Sequence, residues 1–140
     1  MVNASALPLV SVICLCYNHE RFLSEALDSV LAQTYPNLEI IIMDDCSTDN
    51  SVRIIQEYLQ KYPQLTFLST DSNQGNTKAF NMAWRASKGD YIIDFATDDV
   101  LLPERVAQQV AAFEKLDATY GVGYSDAGYM EDGGRRVRFH

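Results

Sequence analysis

The chain has 140 residues, of which 47% are hydrophobic and 21% charged, and its formal net charge at pH 7 is −8. This length suits one globular domain, and the balance of apolar and charged residues excludes a disordered or fibrous protein. The acidic charge argues against nucleic acid as a partner, because non-specific binding to phosphate needs a basic surface. An anionic ligand would therefore need a divalent cation or a few local basic side chains.

Extended apolar runs alternate along the chain with runs of helical period, which is typical of βαβ units in a parallel sheet. The sequence predicts strands at 10–16, 39–43, 65–68 and 91–95, with a further strand at 120–125. After the first strand, Asn18 is predicted to cap a helix whose apolar stripe runs from Phe22 to Leu31 and ends before Pro36. The second helix is capped by one of three polar residues and ends at Pro63; the candidates are Ser47, Thr48 and Asp49.

The third predicted helix carries an apolar face and ends near Gly89; that face consists of Ala79, Phe80, Ala83 and Trp84. Pro103 is predicted to be the first residue of a fourth helix, since proline suits the first helical turn. Beyond it, 131–134 has the composition of a turn, and 135–138 begins a further element.

Three cysteines, Cys14, Cys16 and Cys46, do not make an even disulfide set. We expect reduced thiols, mostly in the core, because no second Cys or His pair stands at zinc-site spacing. No apolar run approaches the roughly 20 residues that span a bilayer, and the amino terminus lacks the features of a signal peptide. A cytoplasmic location is expected, and action at the inner face of the membrane is left open.

Two acidic pairs each follow a predicted strand: Asp44-Asp45 and Asp98-Asp99. Because ligands bind at the carboxyl ends of parallel strands, the two pairs at first predict a single site. Gathered carboxylates need a cation or a basic partner. Asp98 and Asp99 suit Mg²⁺ or Mn²⁺, which take one or two carboxylates together with water and phosphate oxygens. The alternative is that Asp99 caps the next helix and Asp98 is solvated.

Three further side chains are weaker candidates. Tyr17 can stack on a base, although a core or rim position is commoner for such a ring. Asp45 can accept two N–H groups from a heterocycle such as uracil or guanine, although capping or structural roles are commoner. Lys78 can approach a phosphate, and a solvated helical lysine is the alternative.

Six motifs follow one another along the chain: Tyr17-Asn18, Gln33-Thr34-Tyr35-Pro36, Asp44 to Asp49, Asn73-Gln74-Gly75, Gly89-Asp90-Tyr91 and Thr97-Asp98-Asp99. In this order they resemble the amino-terminal half of family 2 glycosyltransferases, over about residues 9–130. The resemblance implies a GT-A fold, which is an α/β, Rossmann-like, mostly parallel sheet flanked by helices. We expect a tail at 1–8, one nucleotide-sugar-binding domain at 9–130 that is truncated on its carboxyl side, and the end of a fragment at 131–140.

The resemblance also implies an enzyme that transfers a sugar from a nucleotide-sugar donor, usually a UDP-sugar, to a glycan, lipid or polysaccharide acceptor. Tyr17 would contact the base or ribose, Asp45 the uracil, and Asp98 the ribose or metal. Asp99 would help to hold the Mn²⁺ or Mg²⁺ that bridges the diphosphate. Asn18 and Lys78 complete the expected nucleotide site. Members with a single displacement invert the anomeric centre and use a carboxylate base.

The chain departs from the family pattern at several positions. Ala96 stands where the commonest acidic motif has a further Asp, Cys46 replaces a usual Gly, and Phe80 replaces a basic residue. Lys78 or Arg85 is expected to supply the missing positive charge. The catalytic base is expected beyond His140, since the late carboxylates Asp126 and Glu131 lie in no recognisable catalytic motif.

Other functions remain open at this point. A non-catalytic nucleotide-sugar-binding module would explain a missing base. A nucleotidyltransferase would need a glycine-rich and basic loop after the first strand, which 15–19 lacks. A receiver-like signalling domain would have its acidic pair after the first strand, where this chain has Cys16 and Tyr17. The sequence also leaves a homodimer open.

Overall fold

The structure, a computed structural model, describes residues 7–115 and, as backbone only, 122–123, 128–130 and 137–139. The strands are β1 (Val10–Cys16), β2 (Leu38–Asp44), β3 (Thr66–Ser69), β4 (Tyr91–Ala96), β5 (Val122–Gly123), β6 (Gly128–Met130) and β7 (Val137–Phe139). The helices are α1 (Leu23–Leu31), α2 (Ser51–Lys61), α3 (Asn76–Ala86) and α4 (Arg105–Glu114). Among the residues described, no helix combines the length and apolarity that crossing a membrane requires.

All seven strands join one sheet in the order β3-β2-β1-β4-β7-β6-β5. Strands β3, β2, β1, β4 and β7 run parallel to one another, and the β7–β6 and β6–β5 pairs are antiparallel. In the register, Leu15 of β1 lies opposite both Met43 of β2 and Ala96 of β4. The carboxyl ends of these three strands therefore meet at one edge. The predicted α/β, Rossmann-like, mostly parallel sheet is confirmed.

Helices cover both faces of the sheet, and β1 supplies core residues to each side. Val12 and Cys14 pack with the apolar faces of α1, α2 and α4, whereas Ile13 packs with α3. Successive side chains of a strand point to opposite faces of the sheet. The sequence of a central strand that is covered on both faces is therefore a continuous apolar run.

The cysteines are free, with Cys14 and Cys16 buried and Cys46 partly exposed. Burial raises the pKa of both Cys14 and Cys16 above the ordinary value of a thiol. The prediction of reduced thiols, mostly in the core, is confirmed.

Two helix starts differ from the predictions. Asn18 does not cap α1, which begins at Leu23 with Phe22 at the cap position and no side-chain capping bond. Phe22 is 48% exposed, so it lies outside the predicted buried stripe. The α4 helix begins at Arg105 rather than at Pro103, whose carbonyl accepts a hydrogen bond from the amide of Thr34. Contacts with a distant part of the chain thus hold Pro103 in the preceding turn.

The start of α2 fits the predicted capping group more closely. Asn50 occupies the cap position without a side-chain bond, while Asp49 Oδ1 accepts the amide of Ser51 at 2.9 Å. Asp49, one of the three predicted candidates, therefore supplies the bond from one position earlier.

Predictions for the last part of the chain fall largely outside the described residues. The backbone of β5 lies within the predicted strand at 120–125, and β7 lies where a further element was predicted to begin. The predicted turn at 131–134, together with Asp126 and Glu131, lies outside the described part. The domain bounds stay predictions, although β7 pairs with β4 in the same sheet.

Hydrogen bonds join β1, β2 and the backbone before β4 at the amino edge of the sheet, opposite the carboxyl edge. Ser11 Oγ donates to Glu39 Oε1 at 2.6 Å and accepts the amide of Gly89 at 2.8 Å. The amide of Lys88 donates to the same Glu39 oxygen at 2.8 Å. The backbone entering β4 is thereby drawn closely against β1.

Candidate active site at the carboxyl edge

A cleft of about 580 Å³ opens at the carboxyl edge, beside the ends of β1 and β4 and the start of α3. It combines carboxylates, neutral polar groups, two ring side chains and a smaller apolar set. These are, in that order, Asp94, Asp98 and Asp99; Asn76, Thr77 and Asn81; Tyr17 and His19; and Leu15, Phe80 and Ala96. Such a mixture of apolar surface and convergent polar groups is typical of a small-molecule site.

The loop after β1 presents Tyr17 to this cleft. Tyr17 is 40% exposed. The next residue, Asn18, has a φ of 55° and accepts the amides of Thr48 and Asp49 on its side-chain oxygen, at 2.7 and 3.3 Å. Its own amide donates to Ser47 Oγ at 2.9 Å. Asn18 thus joins the β1 loop to the β2–α2 loop and does not line the cleft, so its contact with a nucleotide stays a prediction.

The first acidic pair is buried. Asp44 and Asp45 are only 1% and 3% exposed. Asp44 accepts both the amide and the hydroxyl of Ser47, at 2.9 and 2.6 Å. Neither carboxylate lines the cleft. The cleft lining therefore contains the second acidic pair and not the first, and a single site made from both pairs stays a prediction.

Asp45 binds the loop that leads into α3. Its Oδ1 accepts Thr70 Oγ1 and the amide of Gln74, both at 2.8 Å, and its Oδ2 accepts the amide of Gly75 at 2.9 Å. Hydrogen-bond donors replace the solvation that a buried carboxylate loses. The predicted contact of Asp45 with uracil stays a prediction.

The second acidic pair faces the cleft. Asp98 and Asp99 are both exposed, and the Asp98 side chain is 51% accessible. Asp99 Oδ1 accepts the amide of Val100 at 2.9 Å, and the cap position of α4 is held by Glu104. The alternative role of Asp99 as a helix cap is therefore not the one adopted.

Gln33, two residues after α1, caps the start of α4 instead. Its Oε1 accepts the amide of Val106 at 3.1 Å, and its Nε2 donates to the carbonyl of Leu102 at 2.7 Å. Ser29 Oγ also accepts the amide of Leu101 at 3.0 Å. The far half of the loop that carries Asp98 and Asp99 is thus fixed to α1.

Two ionisable residues of the cleft were missed by the sequence reasoning. His19 follows the Tyr17-Asn18 motif, with Nδ1 2.9 Å from Thr97 Oγ1 and Nε2 3.8 Å from Asp98 Oδ2. Asp94 lies two residues before Ala96 in β4 and lines the cleft with it. The available signals were a histidine just beyond β1 and a charged residue inside an apolar strand.

The basic candidates lie outside the cleft lining. Lys78 and Arg85 are exposed residues of α3. Phe80 stands where a basic residue was expected and is 2% exposed, with its ring edge-on to Trp84 at 5.4 Å between centroids. A positive charge from Lys78 or Arg85 stays a prediction.

The exposed carboxylates fit a hard divalent cation. Mg²⁺ and Mn²⁺ prefer oxygen ligands, and Mg²⁺ commonly uses one or two carboxylates while phosphates and water complete its shell. Within the described part of the chain, no three or more His, Cys, Asp and Glu side chains form a ready metal cluster. Asp98 and Asp99 therefore fit a cation that completes its shell with ligands from outside this pair, such as the oxygens of a bound diphosphate and water.

Cys46 carries backbone strain beside the buried acidic pair. Its φ is 64°, in the left-handed region that costs a non-glycine residue about 1–2 kcal/mol. Replacing Cys46 with glycine should relieve that strain and, after the entropy cost of glycine, raise the free energy of unfolding by about 0.5–1 kcal/mol. Urea denaturation measures the gain. Cys46→Ala is the control, and an equal gain in it would trace the effect to the thiol instead.

Comparison with known sequences places the chain among glycosyltransferases. The family model described as Glycosyl transferase family 2 matches residues 11–138. The chain is 38% identical over 108 residues to the chondroitin synthase of Escherichia coli, covering 77% of this chain and 16% of that protein. It is 32% identical over 115 residues to glycosyltransferase GlyG of Streptococcus pneumoniae, covering 82% and 38%. The chain spans about half or less of the length of the curated relatives it matches.

Solved structures show the same architecture. Mannosyltransferase PcManGT from Pyrobaculum calidifontis, in complex with GDP-Man and Mn²⁺, has 28% identity and a TM-score of 0.71, over 86% of this chain and 36% of that one. S. aureus TarS 1-349 in complex with UDP has 29% identity and a TM-score of 0.69, over 76% and 32%. These similarities confirm the GT-A fold. With a family match over nearly its whole length, the chain belongs to glycosyltransferase family 2.

Proposed function

We propose that the cleft binds a nucleotide-sugar donor, a UDP-sugar, with Mn²⁺ or Mg²⁺ held by Asp98 and Asp99. The observation that carries this proposal is the different placement of the two acidic pairs. Asp44 is buried against donors of its own loop and Asp45 against donors of the loop that leads into α3, whereas Asp98 and Asp99 are exposed at the cleft. Similar structures hold UDP, UDP-GlcNAc, or GDP-Man with Mn²⁺, which supports a donor of this class.

The chain's own residues suit the parts of such a donor. The exposed ring of Tyr17 offers a stacking surface for the base or ribose. Asn76 and Thr77, the first residues of α3, line the cleft. Because free amides and the helix dipole favour negative charge at a helix amino end, this position suits the diphosphate. Lys78 in the same turn would add positive charge.

The bound cation would neutralise the charge that develops on the nucleoside diphosphate as it leaves. Asp98 and Asp99 would hold the cation at the cleft, and Leu15, Phe80 and Ala96 give the cleft an apolar part. We propose an inverting transfer to a glycan, lipid or polysaccharide acceptor in the cytoplasm. Much of each curated relative lies outside the matched segment, and we assign the carboxylate base and acceptor site to such sequence.

Isothermal titration of the chain with UDP, with and without Mn²⁺, tests the donor site. We expect binding that depends on Mn²⁺, and a loss of at least about tenfold in affinity for Asp99→Asn, which keeps the shape but removes the charge. Asp90→Asn removes the same charge at the amino end of β4, near Leu9, and should bind as the wild type does. GDP titrated in parallel should bind more weakly than UDP.

Two results would contradict the proposal: UDP binding that ignores Mn²⁺, or UDP binding that Asp99→Asn leaves unchanged. Release of pyrophosphate from a nucleoside triphosphate and a sugar phosphate would instead favour nucleotidyl transfer. Metal-dependent binding without sugar transfer, in a protein that includes the sequence homologous to the rest of its relatives, would favour a non-catalytic binding module.

A further inference from the structure

The imidazole of His19 is held from several directions. Nδ1 lies 2.9 Å from Thr97 Oγ1, and that oxygen lies 3.1 Å from the carbonyl oxygen of Leu15. The backbone amide of His19 donates to Ser51 Oγ at 3.2 Å. Thr97 is fully buried, so the partner of Nδ1 is fixed by β1 and the end of β4. The orientation of the ring is therefore built into the fold.

These contacts accommodate the tautomer that can bind a metal. When the Thr97 hydroxyl donates its proton to the carbonyl of Leu15, it offers a lone pair to Nδ1 of His19. Nδ1 then carries the hydrogen of the neutral ring, and Nε2 carries the free electron pair. Metal-binding histidines are oriented in the same way, with the ring nitrogen away from the metal donating to a fixed acceptor.

The free electron pair of Nε2 faces a second electron donor. Nε2 lies 3.8 Å from Asp98 Oδ2, which is too long for a hydrogen bond, and both residues line the cleft. Two ligands that each stand about 2.1 Å from one cation lie about 3 Å apart when they are adjacent in an octahedral shell. A shift of under about 1 Å would therefore bring both atoms onto one ion.

We propose that His19 Nε2 is a ligand of the divalent cation, beside Asp98 and Asp99. This inference rests on the proposed metal-dependent donor site and adds one residue to it from the end of β1. Because imidazole is a softer ligand than carboxylate or water, the site should favour Mn²⁺ over Mg²⁺. Thr97 acts as a positioning residue, since its hydroxyl directs the free electron pair of Nε2 toward the cleft.

Pulsed electron paramagnetic resonance of Mn²⁺ in the wild-type chain with UDP detects a bond between Mn²⁺ and His19 Nε2 directly. We expect modulation from a coordinated nitrogen, and a change to the ¹⁵N pattern when the histidines are labelled with ¹⁵N. His140, the other histidine of the chain, supplies a matched control: His140→Gln should keep the modulation and His19→Gln should lose it. The labelled wild-type measurement does not depend on the folding of any variant.

Binding measurements give a second readout. His19→Gln should weaken Mn²⁺ binding about tenfold and Mg²⁺ binding much less. Thr97→Val should also weaken Mn²⁺ binding, whereas Thr97→Ser, which keeps the hydroxyl, should restore it. Mn²⁺ bound with UDP but without nitrogen modulation would overturn the role of His19 and leave the donor site standing. Failure of the wild-type chain to bind Mn²⁺ with UDP would overturn both proposals.

Discussion

Replacing Asp45 with alanine is expected to lower the free energy of unfolding by about 3 kcal/mol. The carboxylate accepts three hydrogen bonds, from Thr70 Oγ1 and from the amides of Gln74 and Gly75. Hydrogen bonds to a charged group contribute about 1.5–3 kcal/mol each, and water would recover part of this loss in the variant. The segment from Thr70 to Gly75 would lose these three bonds and keep the backbone bond of the Thr70 amide to the carbonyl of Asp44.

Urea denaturation measures the loss of stability, and amide hydrogen exchange at Gln74 and Gly75 reports the released loop. Asp45→Asn serves as the control, since one of its two acceptor oxygens becomes an NH₂ group that cannot accept the amide it would face. It should lie between the wild type and the alanine variant in stability. An alanine variant that keeps the wild-type midpoint and slow exchange at both amides would show that the loop is held by other contacts.

Gly89→Ala is expected to cost about 3 kcal/mol because the added methyl group has no room. A Cβ built at this position would lie 2.5 Å from Ser11 Oγ and 2.6 Å from the backbone nitrogen of Ser11. Real Cβ contacts are essentially never that short, so β1 and β4 would have to separate at their amino ends. Overpacking of this kind typically costs about 1–3 kcal/mol, and a backbone clash lies at the upper end of that range.

Urea denaturation of Gly89→Ala with and without Ser11→Ala identifies the contact responsible. Ser11→Ala removes the hydroxyl but leaves the backbone nitrogen, so most of the Gly89→Ala penalty should persist in the double variant. Full recovery would assign the clash to the side chain instead. Mn²⁺-dependent UDP binding by the folded fraction should be retained, because this edge of the sheet lies opposite the cleft.

The strands and the mostly parallel sheet were predictable from the sequence because apolar runs of strand length are local features. Apolar runs such as 10–16 and 91–96 are buried on both faces, and their length and spacing leave little alternative to a parallel sheet. Helix starts were less predictable. Asn18 is a residue type that often caps helices, but here it donates hydrogen bonds to the β2–α2 loop, about 30 residues away, and accepts others from it. No local sequence pattern contains that partner.

The candidate site was likewise predictable only in part. Motif order identified Asp98 and Asp99, which do line the cleft. The local sequence gives Asp44 and Asp45 the same character, and only the folded loops show that donors already surround them. His19 was missed because its function depends on Thr97, which reaches it only through the pairing of β1 with β4.

The bonds that Gln33 makes to Leu102 and Val106 have a consequence for ligand affinity. A loop that must be ordered when a ligand binds subtracts its lost conformational entropy from the binding free energy. Here the far half of the loop that carries Asp98 and Asp99 is already anchored before any ligand arrives. Folding therefore preorganises part of the loop that carries Asp98 and Asp99. Under the proposed function, the affinity for the donor would depend in part on the side-chain amide of Gln33, which does not line the cleft.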